Sequence, residues 1–137
     1  MTTKPRATIQ RRYDFEAAHR LPHVEDGHKC GNMHGHSYVV LLEVTGLIQQ
    51  EGPERGMVLD FGVLDAAAAA LKERVDHTAL NDTLHDNPTV ENMAPLVWDH
   101  FQTAMHSYFV PRDLPWRLKV TLEEGPRSGA VYPPEDL

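Results

Sequence analysis

The 137-residue chain contains a single cysteine, Cys30, so no disulfide can form within it. Any importance of this thiol must come from its reactivity, from metal binding or from packing. No stretch approaches the roughly 18 apolar residues that a membrane-spanning helix requires, and the first residues, MTTKPRATIQRRY, hold no apolar segment typical of a secretion signal. We therefore expect a cytoplasmic protein that does not bind a membrane.

Positive charge is also scarce, with 13 Lys and Arg against 20 Asp and Glu and a formal net charge of −7. The only basic run is Arg11 followed by Arg12, whereas proteins that bind a nucleic-acid backbone cluster their Lys and Arg side chains. This argues against nucleic acid as a partner and favours a small molecule. The length, with 41% hydrophobic and 24% charged residues, is typical of a globular protein with one core, so we expect a single domain over residues 1–137.

Hydrophobic periodicity predicts an α+β fold. Alternating apolar residues predict strands over 8–18, 34–44, 57–59 and 116–124. Apolar residues spaced by three and four predict one helix over 61–75, capped by Asp60, and another from Thr89 to about residue 108. Because Pro95 lies past the first turn of the second helix, we expect that helix to start later or to bend locally. The order of elements indicates a small antiparallel sheet with two helices on one face.

Two histidines, His34 and His36, stand at the start of the second predicted strand, where residues i and i+2 point to the same side. They can offer two imidazole nitrogens to one metal ion. His19 ends the first predicted strand, and a hairpin across the long loop 20–33 would bring it to the same place. Three histidines leave the fourth tetrahedral position of zinc open, which is typical of catalytic zinc. We favour this site over the alternative of three unrelated surface residues.

Cys30 lies in that loop and has two interpretations. As a fourth ligand it would close the site and make the zinc structural, whereas as a free thiolate beside a cation it would be a reactive base or nucleophile. The spacing alone does not separate the two. His23 and His28, in the same loop, are spare candidates for metal ligands, but their spacing does not favour them over solvated loop histidines.

Two acidic residues, Asp76 and Glu124, are also candidates for a role in catalysis or ligand binding. Asp76 precedes His77 just past the first helix, and a carboxylate can orient an imidazole for proton transfer. From these two residues alone, the better interpretation is a histidine that is merely favoured by the helix dipole. Glu124 continues the apolar face of strand 116–124, where a carboxylate is costly unless it is paired. It would accept hydrogen bonds from a ligand with N–H groups, unless the strand ends at Glu123 and Glu124 is solvated.

Six segments resemble, in order and spacing, the 6-pyruvoyl-tetrahydropterin synthase superfamily, and the match extends over residues 13–132. They are FEAAHRLP (15–22), HKCGNMHGHSY (28–38), GMVLDFGVL (56–64), DHTALND (76–82), NPTVEN (87–92) and EEGPRSGAVY (123–132). Three residues separate Cys30 from His34, as in the bacterial 6-carboxytetrahydropterin synthases of queuosine biosynthesis, whereas the pyruvoyl enzymes carry a longer insert there. Gly125, where the family usually has a threonine, and Pro95 depart from the pattern.

The resemblance implies a tunnelling fold, in which the sheets of a homotrimer or homohexamer join edge to edge into a barrel and the active sites lie between subunits. It also implies that Zn²⁺ is held by three histidines and that the catalytic residues are a thiol proton acceptor, an Asp–His pair and a glutamate. The zinc ligands would be His19, His34 and His36. The catalytic residues would be Cys30, Asp76, His77 and Glu124.

By the same resemblance, Glu124 would bind the amino-pyrimidine edge of a pterin, with backbone groups of Thr89 and Val90 nearby. The substrate would be a pterin triphosphate, 7,8-dihydroneopterin triphosphate. The implied carbon–carbon lyase converts it to 6-carboxy-5,6,7,8-tetrahydropterin with release of acetaldehyde and triphosphate. Two alternatives stay open, namely a 6-pyruvoyl-tetrahydropterin synthase and a zinc-stabilised binding module in which Cys30 closes the metal site.

Overall fold

A computed structural model describes residues 4–137, so residues 1–3 of the expected domain lie outside the described residues. The elements in chain order are β1 (Arg6–His19), β2 (His34–Leu47), α1 (Phe61–Val75), α2 (Leu80–Thr83), α3 (Val90–Phe109), β3 (Trp116–Glu124) and β4 (Gly129–Tyr132). The strands form one antiparallel sheet in the order β1-β2-β3-β4. Helices α1 and α3 pack on one face of this sheet, which confirms the predicted α+β architecture.

Strands β1 and β2 pair along their whole length as the expected hairpin. The register runs from Arg6 opposite Leu47 to His19 opposite His34. Both strands extend further than predicted, because the pairing itself continues past the segments where the apolar alternation is clear. The long hairpin carries the two strand ends, and therefore the histidines, to the same edge of the molecule.

One hydrophobic core lies between the sheet and the two long helices. Helix α1 buries one face at the predicted spacing, and α3 and the inner face of the sheet complete the core. The fully or nearly buried positions include Leu64, Leu71 and Val75 from α1, Met93, Val97, Phe101 and Met105 from α3, and Val40, Leu42, Val44, Leu118, Val120 and Leu122 from the sheet. Each large apolar side chain buried in this way contributes about 1.5–3 kcal/mol.

Helix α3 begins at Val90, so of the two outcomes expected from Pro95, a later start or a local bend, the later start is wrong. The side chain of Thr89 caps the helix by accepting a hydrogen bond from the amide of Asn92 at 3.1 Å. The cap contributes about 1 kcal/mol, and the burial of Val90 and Met93 contributes about 1.5–3 kcal/mol each. Together these terms exceed the roughly 3 kcal/mol that a proline costs inside a helix, so the helix continues through Pro95.

The predicted strand over 57–59 is wrong. Its backbone makes turn hydrogen bonds instead, from the Met57 amide to the Glu54 carbonyl and from the Gln49 amide to the Met57 carbonyl. Val58 and Leu59 are buried in the core, and this burial explains the apolar run without strand pairing. Two short elements that the sequence did not indicate, α2 and β4, also appear. Within residues 4–137, no helix combines the length and apolar character needed to cross a membrane.

Candidate active site

The end of the β1–β2 hairpin brings His19, His34 and His36 together. The register puts His19 opposite His34, and His36 follows two residues further along the same face. One nitrogen from each of the three rings lies within 4.8 Å of the others. The ring centroids are separated by 4.7 to 5.0 Å. Three imidazole nitrogens at these separations can bind one metal ion.

Backbone carbonyls fix the orientation of two of these rings. Nδ1 of His19 lies 2.8 Å from the carbonyl oxygen of Pro88, and Nδ1 of His34 lies 2.7 Å from that of Asn32. A carbonyl can only accept, so Nδ1 carries the hydrogen in both rings and Nε2 keeps its lone pair. In metal-binding histidines, the ring nitrogen that does not bind the metal typically donates a hydrogen bond to a carbonyl or carboxylate in this way. Burial also lowers the pKa of His19, which keeps the ring in the neutral form that binds metal.

Glu124 lies beside these rings on the apolar face of β3, as the alternation predicts. Its Oε2 atom is buried and lies 3.8 Å from Nε2 of His19, which is too far for a hydrogen bond. No donor within residues 4–137 reaches this oxygen. A buried carboxylate oxygen without a donor is unfavourable, so a cation or an N–H group of a bound molecule would stabilise it.

The histidines and Glu124 line a cavity of about 490 Å³. This volume suits a small organic ligand. The other lining residues that the sequence indicated are Cys30, Thr89 and Val90. Three further lining residues were not predicted, although each lies within two positions of a predicted one: Leu21, Lys29 and Glu91.

Cys30 lies in a short 3₁₀ turn, Lys29–Gly31, at the side of this cavity. The turn is held by a hydrogen bond from the Cys30 amide to Nδ1 of His28 and by one from the Leu21 amide to the Cys30 carbonyl. Cys30 is half-buried and free, and it is not part of the group of three nitrogens that lie within 4.8 Å. This arrangement favours a thiol beside the metal site over a fourth ligand. Neither His23 nor His28 lines the cavity.

Asp76 and His77 form a carboxylate–imidazole pair, but they do not line the cavity of the histidines. Oδ1 of Asp76 accepts a hydrogen bond from the Glu16 amide at 2.9 Å, and Oδ2 lies 3.0 Å from Nδ1 of His77. The Glu16 amide, and secondarily His77, lower the pKa of Asp76 and keep it ionised. His77 lines a second cavity of about 580 Å³, which His36 also lines.

The backbone of His77 is strained, since its φ of 58° lies in the left-handed region that favours glycine. The surrounding hydrogen bonds hold this conformation, because the His77 amide donates to the Glu16 carbonyl and the next residue, Thr78, accepts from the amide of Ala18. Such strain is concentrated at functional sites. The 78% exposed His77 side chain is therefore oriented by Asp76 and presented outward, where a second molecule can contact it.

Comparison with known proteins connects this geometry to a family. The family model for 6-pyruvoyl tetrahydropterin synthase matches residues 8–135. The 6-carboxy-5,6,7,8-tetrahydropterin synthase of Synechocystis is 40% identical over 99 residues, which cover 70% of this chain and 75% of that protein. The protein of the same name from Bacillus subtilis is 30% identical over 143 residues, which cover 92% of this chain and 90% of that protein.

A solved structure shares the fold as well. The 6-pyruvoyl tetrahydropterin synthase of Caenorhabditis elegans superposes with a TM-score of 0.76 at 30% identity, over 96% of this chain and 98% of that one. The four-stranded sheet and its helices therefore match a member of the superfamily that the sequence segments resemble. The chain belongs to the 6-pyruvoyl tetrahydropterin synthase family.

Proposed function

We propose that the protein is a zinc-dependent lyase that converts 7,8-dihydroneopterin triphosphate and one water to 6-carboxy-5,6,7,8-tetrahydropterin, acetaldehyde and triphosphate, in queuosine biosynthesis. The observation that carries the proposal is the cavity in which three histidine nitrogens lie beside the unpaired, buried Oε2 of Glu124. Two relatives named for this carboxy product, at 40% and 30% identity, support it. The three-residue spacing from Cys30 to His34 supports the same branch.

The donor set fits Zn²⁺, because three neutral imidazoles bind it readily and leave a fourth position open. When bound there, zinc supplies Lewis-acid polarisation of the oxygen atoms on the substrate side chain. His19 and His34 are already oriented for this by the Pro88 and Asn32 carbonyls. We assign the ligand roles to His19, His34 and His36.

Glu124 would recognise the pterin. Its unpaired Oε2 can accept from the N–H groups of the amino-pyrimidine edge, which also removes the unfavourable burial of the carboxylate. The Thr89 amide already donates to the Asn87 carbonyl, so it is not free for the ligand. Val90 is the first residue of α3, and its amide has no partner inside the helix. Val90 N–H is therefore one donor that this part of the cavity offers.

Cys30 would accept a proton from a substrate carbon near the metal site. Asp76 and His77 would assist proton transfer at a site between two subunits, since His77 lines a different cavity from Cys30 within one chain. A homotrimer or homohexamer with sheets joined edge to edge would bring the exposed His77 to a neighbouring cavity. We also propose that residues 1–137 form one cytoplasmic domain, in which Cys30 stays a thiol.

The alternative enzyme, a 6-pyruvoyl-tetrahydropterin synthase, is favoured by the fold match to the Caenorhabditis elegans protein of that activity name. It would use the same cavity and differ in product. The binding-module alternative needs Cys30 as a fourth ligand, whereas the three histidine nitrogens group without it.

Two measurements test the proposal. Purified protein incubated with 7,8-dihydroneopterin triphosphate should give the carboxy product and acetaldehyde by mass spectrometry, and the pyruvoyl product would instead establish the alternative enzyme. His34→Ala and His36→Ala should each lose bound zinc and activity together, because two nitrogens make a weak site. His106→Ala, which changes an exposed histidine on α3, is the control and should keep both. Full zinc occupancy in either ligand variant would overturn the assignment.

A further inference from the structure

The Asn81 side chain, which has no role in the proposed chemistry, holds the backbone next to His19. Immediately after His19, the amide of Arg20 donates to Oδ1 of Asn81 at 3.0 Å, and the Nδ2 of Asn81 donates to the carbonyl of Arg20 at 2.8 Å. Asn81, on α2, thus pairs with both backbone groups of Arg20 in the way a neighbouring strand would. This clamp fixes the backbone at the end of β1.

The Pro88 carbonyl, which orients the His19 ring, belongs to a loop that is also held by side-chain hydrogen bonds. Pro88 O is the partner of His19 Nδ1, and the residue before it, Asn87, accepts a hydrogen bond at its carbonyl from Nδ2 of Asn92 at 2.9 Å. The Asn87 amide donates to Nδ1 of His85 at 2.9 Å. The Asn87 amide is therefore held by the His85 ring, and its carbonyl by the Asn92 side chain together with the Thr89 amide, which donates to it at 2.9 Å. These hydrogen bonds fix the position of the adjacent Pro88 carbonyl.

We infer that Asn81 and Asn92 are positioning residues for the metal ligand His19, an inference that rests on the proposed metal site. Asn81 fixes the backbone from which the His19 side chain extends, and Asn92 fixes the loop whose carbonyl accepts from His19 Nδ1. The two clamps set the distance between ring and carbonyl, so Nε2 points toward His34 and His36 before any ion binds.

A purely structural role would give a different result from a positioning role. If the amides only stabilise the fold, their loss should lower the unfolding temperature and leave the metal affinity of the folded protein unchanged. If they position His19, their loss should weaken metal binding even where the metal-free protein stays folded, because the ring then has to be ordered by the ion itself.

The experiment measures zinc affinity of Asn81→Ala and Asn92→Ala by competition with a chromophoric chelator, together with the unfolding temperature of the metal-free proteins. Loss of a group that is hydrogen-bonded directly to a metal ligand typically weakens affinity by about 10–100-fold. Because Asn81 and Asn92 act on His19 through the backbone and the Pro88 carbonyl, we expect an effect at the lower end of this range, about tenfold, in each variant. The cobalt(II) forms should also show altered d–d absorption, which reports on ligand geometry. If Asn81→Ala does not fold, the zinc affinity of Asn92→Ala alone tests the inference.

Gln49→Ala is the matched control. Gln49 is likewise a half-buried amide with two hydrogen bonds, from Nε2 to the Val58 carbonyl at 3.1 Å and to the Tyr108 hydroxyl at 2.8 Å, and it lies outside the cavity. It should lower the unfolding temperature without changing zinc affinity. Zinc affinity within about twofold of wild type in both asparagine variants would overturn the inference alone, since the effect expected of each variant is about tenfold. Wild-type protein that binds no zinc would overturn the proposed metal site as well.

Discussion

Tyr38 on β2 lies directly opposite Glu124 on β3, and each side chain carries a buried polar atom with no hydrogen bond within residues 4–137. The Tyr38 ring is fully buried, stacks on Phe15 at a centroid distance of 5.0 Å and contacts His19 edge to face at 6.0 Å. Burial, and secondarily the charge of Glu124, raises the pKa of Tyr38, so the phenol stays neutral. The unfavourable polar burial of this fold is thus located at the candidate active site.

This relationship predicts that Tyr38→Phe stabilises the metal-free protein. The hydroxyl has lost its hydrogen bonds to water without gaining a partner, and such a group costs about 1–3 kcal/mol. The ring and its contact with Phe15 are kept in the variant. The free energy of unfolding, measured by urea denaturation in the presence of a chelator, should therefore rise by about 1 kcal/mol.

Tyr108→Phe is the matched control for this change. Its hydroxyl is also on a buried tyrosine but accepts a hydrogen bond from Nε2 of Gln49 at 2.8 Å. Its removal should destabilise the protein by about 0.5–1.5 kcal/mol, the opposite sign. A loss of stability in Tyr38→Phe would show that the Tyr38 hydroxyl does have a partner in solution.

A second prediction concerns acid stability and the Asp65 cluster, which lies between α1 and β1. Asp65 accepts hydrogen bonds from the hydroxyl of Tyr13 and from two nitrogens of Arg11. These donors, Tyr13 first, hold the pKa of Asp65 below its usual value. The unfolded chain therefore takes up this proton at a higher pH than the folded one, and the interaction stabilises the fold above about pH 4.

Asp65→Asn should accordingly lower the free energy of unfolding at pH 7 and pH 5. The difference from wild type should shrink as the pH falls below about 4, because the unfolded wild-type chain then takes up the proton first, and it should vanish once the folded carboxyl is protonated too. Urea denaturation at a series of pH values measures this directly. Asp26→Asn, at an exposed loop residue with no ion pair among the described side chains, should show no such trend. A difference that is the same at every pH would contradict the assigned role of the Asp65 charge.

The histidine group could be predicted because it depends on local rules. Alternation along 34–44 sets which face His34 and His36 occupy, and a hairpin necessarily returns His19 to the start of the second strand. The helices over 61–75 and from Thr89 were predictable for the same reason, since their apolar spacing matches one buried face. Local periodicity therefore determines the β1–β2 hairpin and brings the three histidines together.

Other features depend on contacts that no local pattern shows. The four residues of β4 are too few to show an alternation, and they become a strand only because β3 is beside them. The 57–59 segment has the composition of a strand, but Val58 and Leu59 are buried in the core while their backbone pairs with no strand. The clamps of Asn81 and Asn92 join residues that are distant along the chain or lie in irregular loops, so only the tertiary structure reveals them.

A third prediction separates the two roles of Cys30. If the thiol is the base, Cys30→Ala should keep near-normal zinc, because three histidines still bind it, while turnover falls by roughly the 10²–10⁴-fold typical of losing a general base. Zinc content by atomic emission and the turnover number, measured on the same preparation, test both parts. Alkylation of Cys30 should inactivate the enzyme, and substrate should protect against it.

Glu124→Gln is the control for the Cys30 variant. It lines the same cavity but should raise KM for the pterin without changing zinc content or the alkylation of Cys30 in the free enzyme. Loss of zinc in Cys30→Ala, together with slow alkylation of the wild type, would instead support a fourth ligand and the binding-module alternative.

The last prediction concerns where Asp76 and His77 act. Cys30 and His77 line different cavities of one chain, so the proposed intersubunit site would combine Cys30 of one subunit with His77 of its neighbour. Cys30→Ala and His77→Ala proteins should each be inactive alone. When they are mixed under conditions that exchange subunits, about a quarter of the sites, one half times one half, should combine an intact Cys30 with an intact His77 from the neighbour. Activity should recover to about that fraction of wild type.

The double variant Cys30→Ala/His77→Ala, mixed with wild type, is the control. In that mixture the two intact residues are always on the same chain. If each site combines two subunits, about a quarter of the sites are intact and activity should be about a quarter of wild type. If each site lies within one chain, about half of the sites are intact and activity should be about half of wild type. If the two single variants do not complement each other although exchange is demonstrated by mass, both residues act within one chain or only one of them acts. The outward-facing, strained His77 would then need another explanation, because its own chain offers the ring no partner besides Asp76 within the described hydrogen bonds and ion pairs.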